Sequence, residues 1–197
     1  MFDAKNYQHS HNWVTNSELR RNLRRFLPPT EPAISLRMLE VGTFEGLMAC
    51  YFSDELLDHP DARLHCVDPF DLSDTTTELT DDTESRFRAN IAQSKNATKI
   101  TIYKMYSRDF YAIQRMRPNQ TELYDFIYID GSHLPNDIIT DMQECYSLLK
   151  PGGIMWMDDY CFGNDGSVKR AMDYALQSLT GFSIIHKDYQ LAIQKHT

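Results

Sequence analysis

From residue 36 onward the chain alternates two kinds of run, and that alternation restricts its fold more than any other property. Short apolar runs rich in β-branched and aromatic residues read as strands: RMLEVG, ARLHCVDPF, KITIYKMY, LYDFIYID and Gly153-Ile-Met-Trp-Met. Between them lie GLMACYFSDELL, TESRFRANIAQS, residues 107–116 and PNDIITDMQECYSLLK, whose apolar residues recur at helical spacing. In the last of these the stripe is Ile138, Met142, Cys145 and Leu149, and Lys150-Pro151-Gly152 should end the helix. A final helix near 166–179 precedes two strand-like runs, FSIIHKD and YQLAIQK, separated by almost nothing. Strands alternating with helices imply an α/β fold, a mostly parallel sheet covered on both faces, and the close final pair implies one antiparallel hairpin. Upstream, SELRRNLRRFL (17–27) reads as an amphipathic helix with Leu19, Leu23, Phe26 and Leu27 on one stripe, Ser17 as its cap and Pro28-Pro29 as its stop.

With 197 residues, 42% of them hydrophobic, the chain is long enough for one domain with a sizeable core. A formal charge of -8 argues against a broad nucleic-acid or anionic-membrane surface, because both need a positive field. The start lacks the basic and apolar regions of a signal peptide, and no apolar run approaches the roughly 20 residues that span a bilayer. A soluble, cytoplasmic protein is expected. Cys50, Cys66, Cys145 and Cys161 have no zinc-type spacing and are expected to be free thiols. Asn96-Ala-Thr98 and Asn119-Gln-Thr121 match a glycosylation pattern but are read as ordinary loop residues. The acidic, threonine-rich segment 71–83 cannot bury much surface and is expected to be a loop, either a solvated excursion or a lid.

In an open parallel sheet, ligands sit beyond the carboxyl ends of the strands. At those ends the sequence places Glu40-Val-Gly42-Thr-Phe-Glu45-Gly46, Asp68-Pro-Phe70, Asp130-Gly131-Ser132-His133 and Asp158-Asp159-Tyr160. Gly42 permits a turn closed to other residues, and Gly46 lets the next helix pack closely. A dinucleotide fingerprint would carry a third glycine, and Glu45 beside this pair would repel a phosphate. A nucleoside without phosphates suits the pattern better. Asp68 can accept both ribose hydroxyls, and Phe70 can flank the base.

MLEVGTFEG, LHCVDPF, YDFIYIDGSH, LLKPGG and MDDY, in this order, resemble a class I S-adenosylmethionine-dependent methyltransferase. The resemblance covers roughly residues 36–195 and is greatest to the macrocin-type sugar O-methyltransferases, with catechol O-methyltransferase more distant. It implies a Rossmann-like seven-stranded sheet whose last strand is antiparallel. It implies that Glu40, Gly42, Thr43 and Gly46 line the methionine end of the donor, that Asp68, Pro69 and Phe70 hold the nucleoside, and that Ser107 and Asp130 complete the pocket. Where the family commonly has a glycine after the third strand this chain has Met105, next to Tyr106 and Ser107. The donor is cationic, so Glu40 and Glu45 are tolerable where a pyrophosphate would not be.

The resemblance also implies that Asp130, Asp158 and Asp159 hold a magnesium-like divalent ion, which would lower the pKa of an acceptor hydroxyl and fix its direction. His133 or Asp130 would take the proton. Alternatively, Asp158-Asp159 only ends a strand and His133 makes a structural hydrogen bond. The expected activity is methyl transfer to an oxygen of a small sugar- or phenol-type acceptor. Metal-independent N-methylation and a catalytically silent donor-binding module are the alternatives. Residues 1–35, with His9, His11, Asn12 and Trp13, would cover the substrate side of a methyltransferase domain spanning 36–197. Arg20, Arg21, Arg24 and Arg25 would form a solvated helix face or meet an anionic acceptor. A homodimer is compatible with the pattern.

Overall fold

The structure is a computed structural model that describes residues 2–27, 33–71, 80–116 and 123–197. Seven strands form one sheet: β1 Arg37–Val41, β2 Arg63–Val67, β3 Ile100–Tyr103, β4 Tyr124–Ile129, β5 Leu149–Met157, β6 Phe182–Lys187 and β7 Leu191–Lys195. The helices are α1 Glu18–Phe26, α2 Leu47–Leu56, α3 Thr83–Gln93, α4 Ser107–Arg115, α5 Pro135–Leu148 and α6 Ser167–Ser178. The order across the sheet is β3-β2-β1-β4-β5-β7-β6. β1 pairs in parallel with both β2 and β4, and β7 runs antiparallel to β5 and β6. The winding therefore leaves β1 in one direction and resumes beside it in the other, which opens a crevice at the carboxyl ends of β1 and β4. The mostly parallel sheet expected from the alternation is present, and so is the Rossmann-like seven-stranded form with an antiparallel last strand that the resemblance implies.

Each central strand is apolar on both faces because each face has its own helical cover. Met38, Phe126, Tyr128 and Trp156 point into one core with Leu19, Leu23, Phe52 and Phe87 from α1, α2 and α3. Leu39, Ile127, Ile129, Met155 and Met157 point into the other, with Phe110, Met142, Cys145 and Met172 from α4, α5 and α6. Cys50, Cys66 and Cys145 are buried free thiols and Cys161 is an exposed one. Among the described residues, no helix is long and apolar enough to cross a membrane.

Three local expectations are corrected. Helix α5 stops at Leu148 rather than Lys150, because Leu149 already pairs with Tyr124 in the sheet and Lys150 donates to both Asp125 oxygens at 2.9 Å. Pro151-Gly152-Gly153 is thus an irregularity inside β5, where a Cβ on Gly153 would lie 3.1 Å from the Asp125 carbonyl. Ser17 makes no side-chain cap on α1, and the Gln190 Oε1 atom accepts from the Leu19 N–H at 2.6 Å instead. The α1 arginines form a solvated face only in part: Arg21, Arg24 and Arg25 are exposed, Arg24 pairing with Glu55 at 2.5 Å, whereas Arg20 lies over the Phe2 and Tyr51 rings. Pro28-Pro29, Asn119 and most of the 71–83 segment lie outside the described residues.

Candidate active site

A cavity of about 800 Å³ occupies the crevice at the carboxyl ends of the strands. Among the described residues, three other than glycine adopt left-handed backbone, Phe44 (φ 48°), Phe70 (φ 49°) and Asp159 (φ 58°), and all three sit just past strand ends at this edge. Such conformations cost on the order of 1–3 kcal/mol each and persist where surrounding contacts enforce them.

The enforcing contacts after β1 come from Asp68. Its Oδ2 accepts from the N–H groups of Thr43 at 2.8 Å and Phe44 at 3.2 Å, and its Oδ1 accepts from the N–H of Phe70 at 2.8 Å. Burial pushes the Asp68 carboxyl up from its ordinary range, against these hydrogen bonds, which favour the charged form. Asp68 lines the cavity while also shaping the loop that a donor would meet. Gly42 has φ 81°, and a Cβ there would lie 2.0 Å from the Asp130 carbonyl oxygen. Its bare backbone therefore lets the turns after β1 and β4 touch. Gly46 caps α2 at φ 78°, and what it clears is the Phe87 ring, 2.7 Å from a would-be Cβ.

The two acids of this loop differ in role. Glu45 is buried and, although burial pushes it up, Arg86 at 2.5 Å and the Ser10 N–H at 2.6 Å hold it below the usual carboxylate range. Its charge is thus neutralised, and it is not the phosphate-repelling group the sequence suggested. Among the described residues, no cation pairs with Glu40. It is 1% exposed, lines the cavity, and accepts from the Cys66 thiol at 3.4 Å, while burial drives its pKa well above the ordinary value. A buried carboxylate facing a cavity in this way can regain its charged form by meeting a cation.

Along the second strand's end, Pro69 lines the cavity with Asp71, Tyr106, Ser107 and Arg108. Tyr106 donates to Asp71, and the Arg108 guanidinium lies 4.3 Å from the Tyr106 ring centroid. Phe70 is turned into the core against Phe87, with ring centroids 5.1 Å apart, and neither it nor Gly46 lines the cavity.

On the facing wall, Asp130, Asp158 and Asp159 each offer an oxygen within 4.8 Å of the others. Burial first, then the charges of Asp158 and Asp159, drives Asp130 well above its ordinary pKa, and Asp158 is raised in the same way by burial and Asp159. Tyr128 donates to Asp158 at 2.7 Å and to Asp130 at 3.2 Å. Three mutually repelling carboxylates form an all-oxygen donor set of the kind that suits a hard divalent cation. His133 lines the same cavity; its Nε2 lies 2.9 Å from Asp159 Oδ2, and its ring stacks on Phe162 at 4.3 Å. A carboxylate only accepts, so in the neutral ring Nε2 carries the proton and Nδ1 keeps the basic lone pair.

The amino-terminal segment reaches this edge through Asn90, which is fully buried. Its side chain accepts from the Gln8 N–H at 2.8 Å and donates to the carbonyls of Gln8 at 2.7 Å and Glu45 at 2.8 Å. Trp13 then stacks on His11 at 5.0 Å and leans on Phe44 at 5.2 Å, and both line the cavity. His9 Nδ1 donates to the Tyr7 carbonyl at 3.0 Å, and no histidine joins a metal-type cluster among the described residues.

Sequence reasoning missed Tyr128, Asp141, Asn90 and Gln190. Tyr128 lies two residues before Asp130 on one strand and so shares its face, a signal present in the sequence. Asp141 sits at helical spacing from Ile138 and Cys145 and was equally legible. Asn90 and Gln190 carried no local signal, because their partners are far away in the chain.

The family model for a methyltransferase domain matches residues 39–160, more than half of the chain. No curated protein matches the sequence. Among solved structures, the O-methyltransferase TomG of tomaymycin synthesis from Streptomyces achromogenes, in complex with SAM, is 18% identical over 83% of this chain and 74% of its own, with a TM-score of 0.63. An O-methyltransferase from Bacillus cereus in complex with SAH is 16% identical over 98% of this chain and 86% of its own, with a TM-score of 0.64. A candidate O-methyltransferase from Klebsiella pneumoniae is 13% identical over 98% and 84%, with a TM-score of 0.67. The strand order, the cavity at the switch point and the match over 39–160 agree, and the chain belongs to this methyltransferase family.

Proposed function

We propose that the protein transfers a methyl group from S-adenosylmethionine to an oxygen of a small acceptor, with a divalent cation at Asp130, Asp158 and Asp159. The observation that carries this reading is the pairing, in one cavity, of the uncompensated Glu40 carboxylate with the three-carboxylate cluster. The names of the solved neighbours, which include SAM and SAH complexes of O-methyltransferases, support it.

When bound, the donor supplies an electrophilic methyl on a sulfonium, and the cation supplies Lewis acidity toward the acceptor oxygen. Glu40 receives the donor's ammonium group, and Asp68 keeps the loop after β1 in the shape that receives the nucleoside. His133, with its proton held toward Asp159, takes the acceptor's hydroxyl proton on Nδ1; Asp130 is the competing base. An oxygen–methyl bond forms as the sulfur–methyl bond breaks, leaving the thioether product. Alignment of this displacement can supply roughly 7–11 kcal/mol of barrier lowering, so the cover formed by residues 8–13 and α1 over the acceptor side is part of the chemistry.

The test is a panel of hydroxylated small molecules incubated with methyl-labelled donor, with magnesium or with a chelator, using wild type and Asp158→Ala. Label on an acceptor oxygen, lost by at least about a hundredfold with chelator or in the variant, is expected. Donor binding without turnover across the panel would favour a silent binding module, and full chelator-insensitive turnover by Asp158→Ala would remove the metal.

A further inference from the structure

Gln190 immediately precedes β7, is 2% exposed, and lines the cavity. All four hydrogen-bonding positions of its side chain are used. Oε1 accepts from the Leu19 N–H at 2.6 Å and the Trp156 indole N–H at 3.0 Å. Both of those groups can only donate, so the amide cannot be reversed, and Nε2 must face the other way. There it donates to Asp158 Oδ1 and to Ser17 Oγ, the latter at 3.3 Å. The backbone closes the same link, since the Gln190 N–H donates at 2.9 Å to Glu18 Oε2, which also bonds His186.

Two functions meet at this one residue. Through Oε1 and its N–H it takes over the capping of α1 that Ser17 does not perform, and residues 11–14 and 16–18 of that cover line the cavity. Through Nε2 it fixes Asp158, whose Oδ1 also accepts from the Asp159 N–H at 3.0 Å and whose Oδ2 accepts from Tyr128. Asp158 therefore has three of its four acceptor positions set by the protein, which leaves one direction on Oδ2 for a ligand. Displacing α1 would pull Oε1 and release Asp158.

We propose that Gln190 is a positioning residue through which the seat of the amino-terminal helix holds the orientation of Asp158. The catalytic meaning of this link rests on the methyl-transfer reading, but the link itself does not.

The experiment is residue-resolved amide hydrogen exchange by NMR on the full chain, without donor, acceptor or metal, so a failed function leaves it readable. The Leu19 N–H reports the seat of α1, and the Asp159 N–H reports the position of Asp158. Gln190→Glu keeps an acceptor for Leu19 and Trp156 but turns a second carboxylate oxygen toward Asp158. It should leave the Leu19 amide within about threefold of wild type and accelerate the Asp159 amide by at least about tenfold. Leu23→Ala, which loosens α1 from its buried face without touching Gln190, should accelerate both amides; Leu23→Val serves where the larger truncation does not fold. An Asp159 amide unchanged in Gln190→Glu, or unchanged in the Leu23 variants while Leu19 opens, overturns the proposal. So does joint loss of both amides in Gln190→Glu, which would make Gln190 a packing residue only.

Discussion

Single atoms decide much of this site, and Gly42 shows how. A Cβ at position 42 would meet the Asp130 carbonyl at 2.0 Å on a backbone with φ 81°, so neither the side chain nor the turn can yield cheaply. Gly42→Ala should destabilise the protein by at least roughly 2–4 kcal/mol in denaturant unfolding, or prevent folding. Asp141 offers a second test at this scale. Burial, against hydrogen bonds from Ser107 and Tyr111, raises its carboxyl to about 6. An acid whose pKa is raised on folding binds its proton more tightly in the native state, so its contribution is present at low pH and lost as pH rises. Stability should fall by on the order of 2–3 kcal/mol between about pH 4 and 6 from this group, and Asp141→Asn should flatten that part of the profile. The strand-end glycines and acids were legible in the sequence because their neighbours in the chain explain them. Asp141 lies within the apolar stripe of α5, where its helical spacing marks it as core-facing but names no partner.

At the level of elements, strands and helices were read almost to the residue wherever local pattern sets them. The errors fell where tertiary contact overrides local chemistry: Leu149 is taken from α5 by the sheet, and Ser17 yields its capping role to a residue 173 positions away. The amino-terminal cover is the element with the least local warrant, since a polar stretch from Gln8 to Trp13 has no core of its own. Asn90 anchors it, and three hydrogen bonds from one buried side chain are worth about 2–3 kcal/mol together. Asn90→Ala should release residues 8–13 before the sheet unfolds, so that chymotrypsin cuts after Trp13 under native conditions while the remainder resists. Equal resistance in variant and wild type would show that the cover is held elsewhere.

For the whole molecule, the topology explains why so much charge can be buried at one edge. The switch between β1 and β4 opens the crevice, and the two helical layers exclude water from its floor, so Glu40 on one wall and Asp130 with Asp158 on the other are all raised by burial. Each raised acid costs the ligand-free protein stability as pH rises, and each would recover it by meeting a cation. The part of the cavity lined by Trp13, Phe162 and Tyr189 was not legible in the sequence for a related reason: only the folded chain brings these residues together.

The central claim is that Glu40 is the receptor for the donor's cationic end, and calorimetric titration with S-adenosylmethionine in two buffers of different ionisation enthalpy tests it most directly. Wild type should bind at one site with proton release, because the ammonium restores the charged form of a carboxyl whose pKa burial has raised. Glu40→Gln should bind at least about tenfold more weakly, with no buffer-dependent heat, while unfolding at a higher temperature than wild type. Donor affinity and buffer dependence unchanged by Glu40→Gln, or binding of a nicotinamide dinucleotide in place of the donor, would contradict the account.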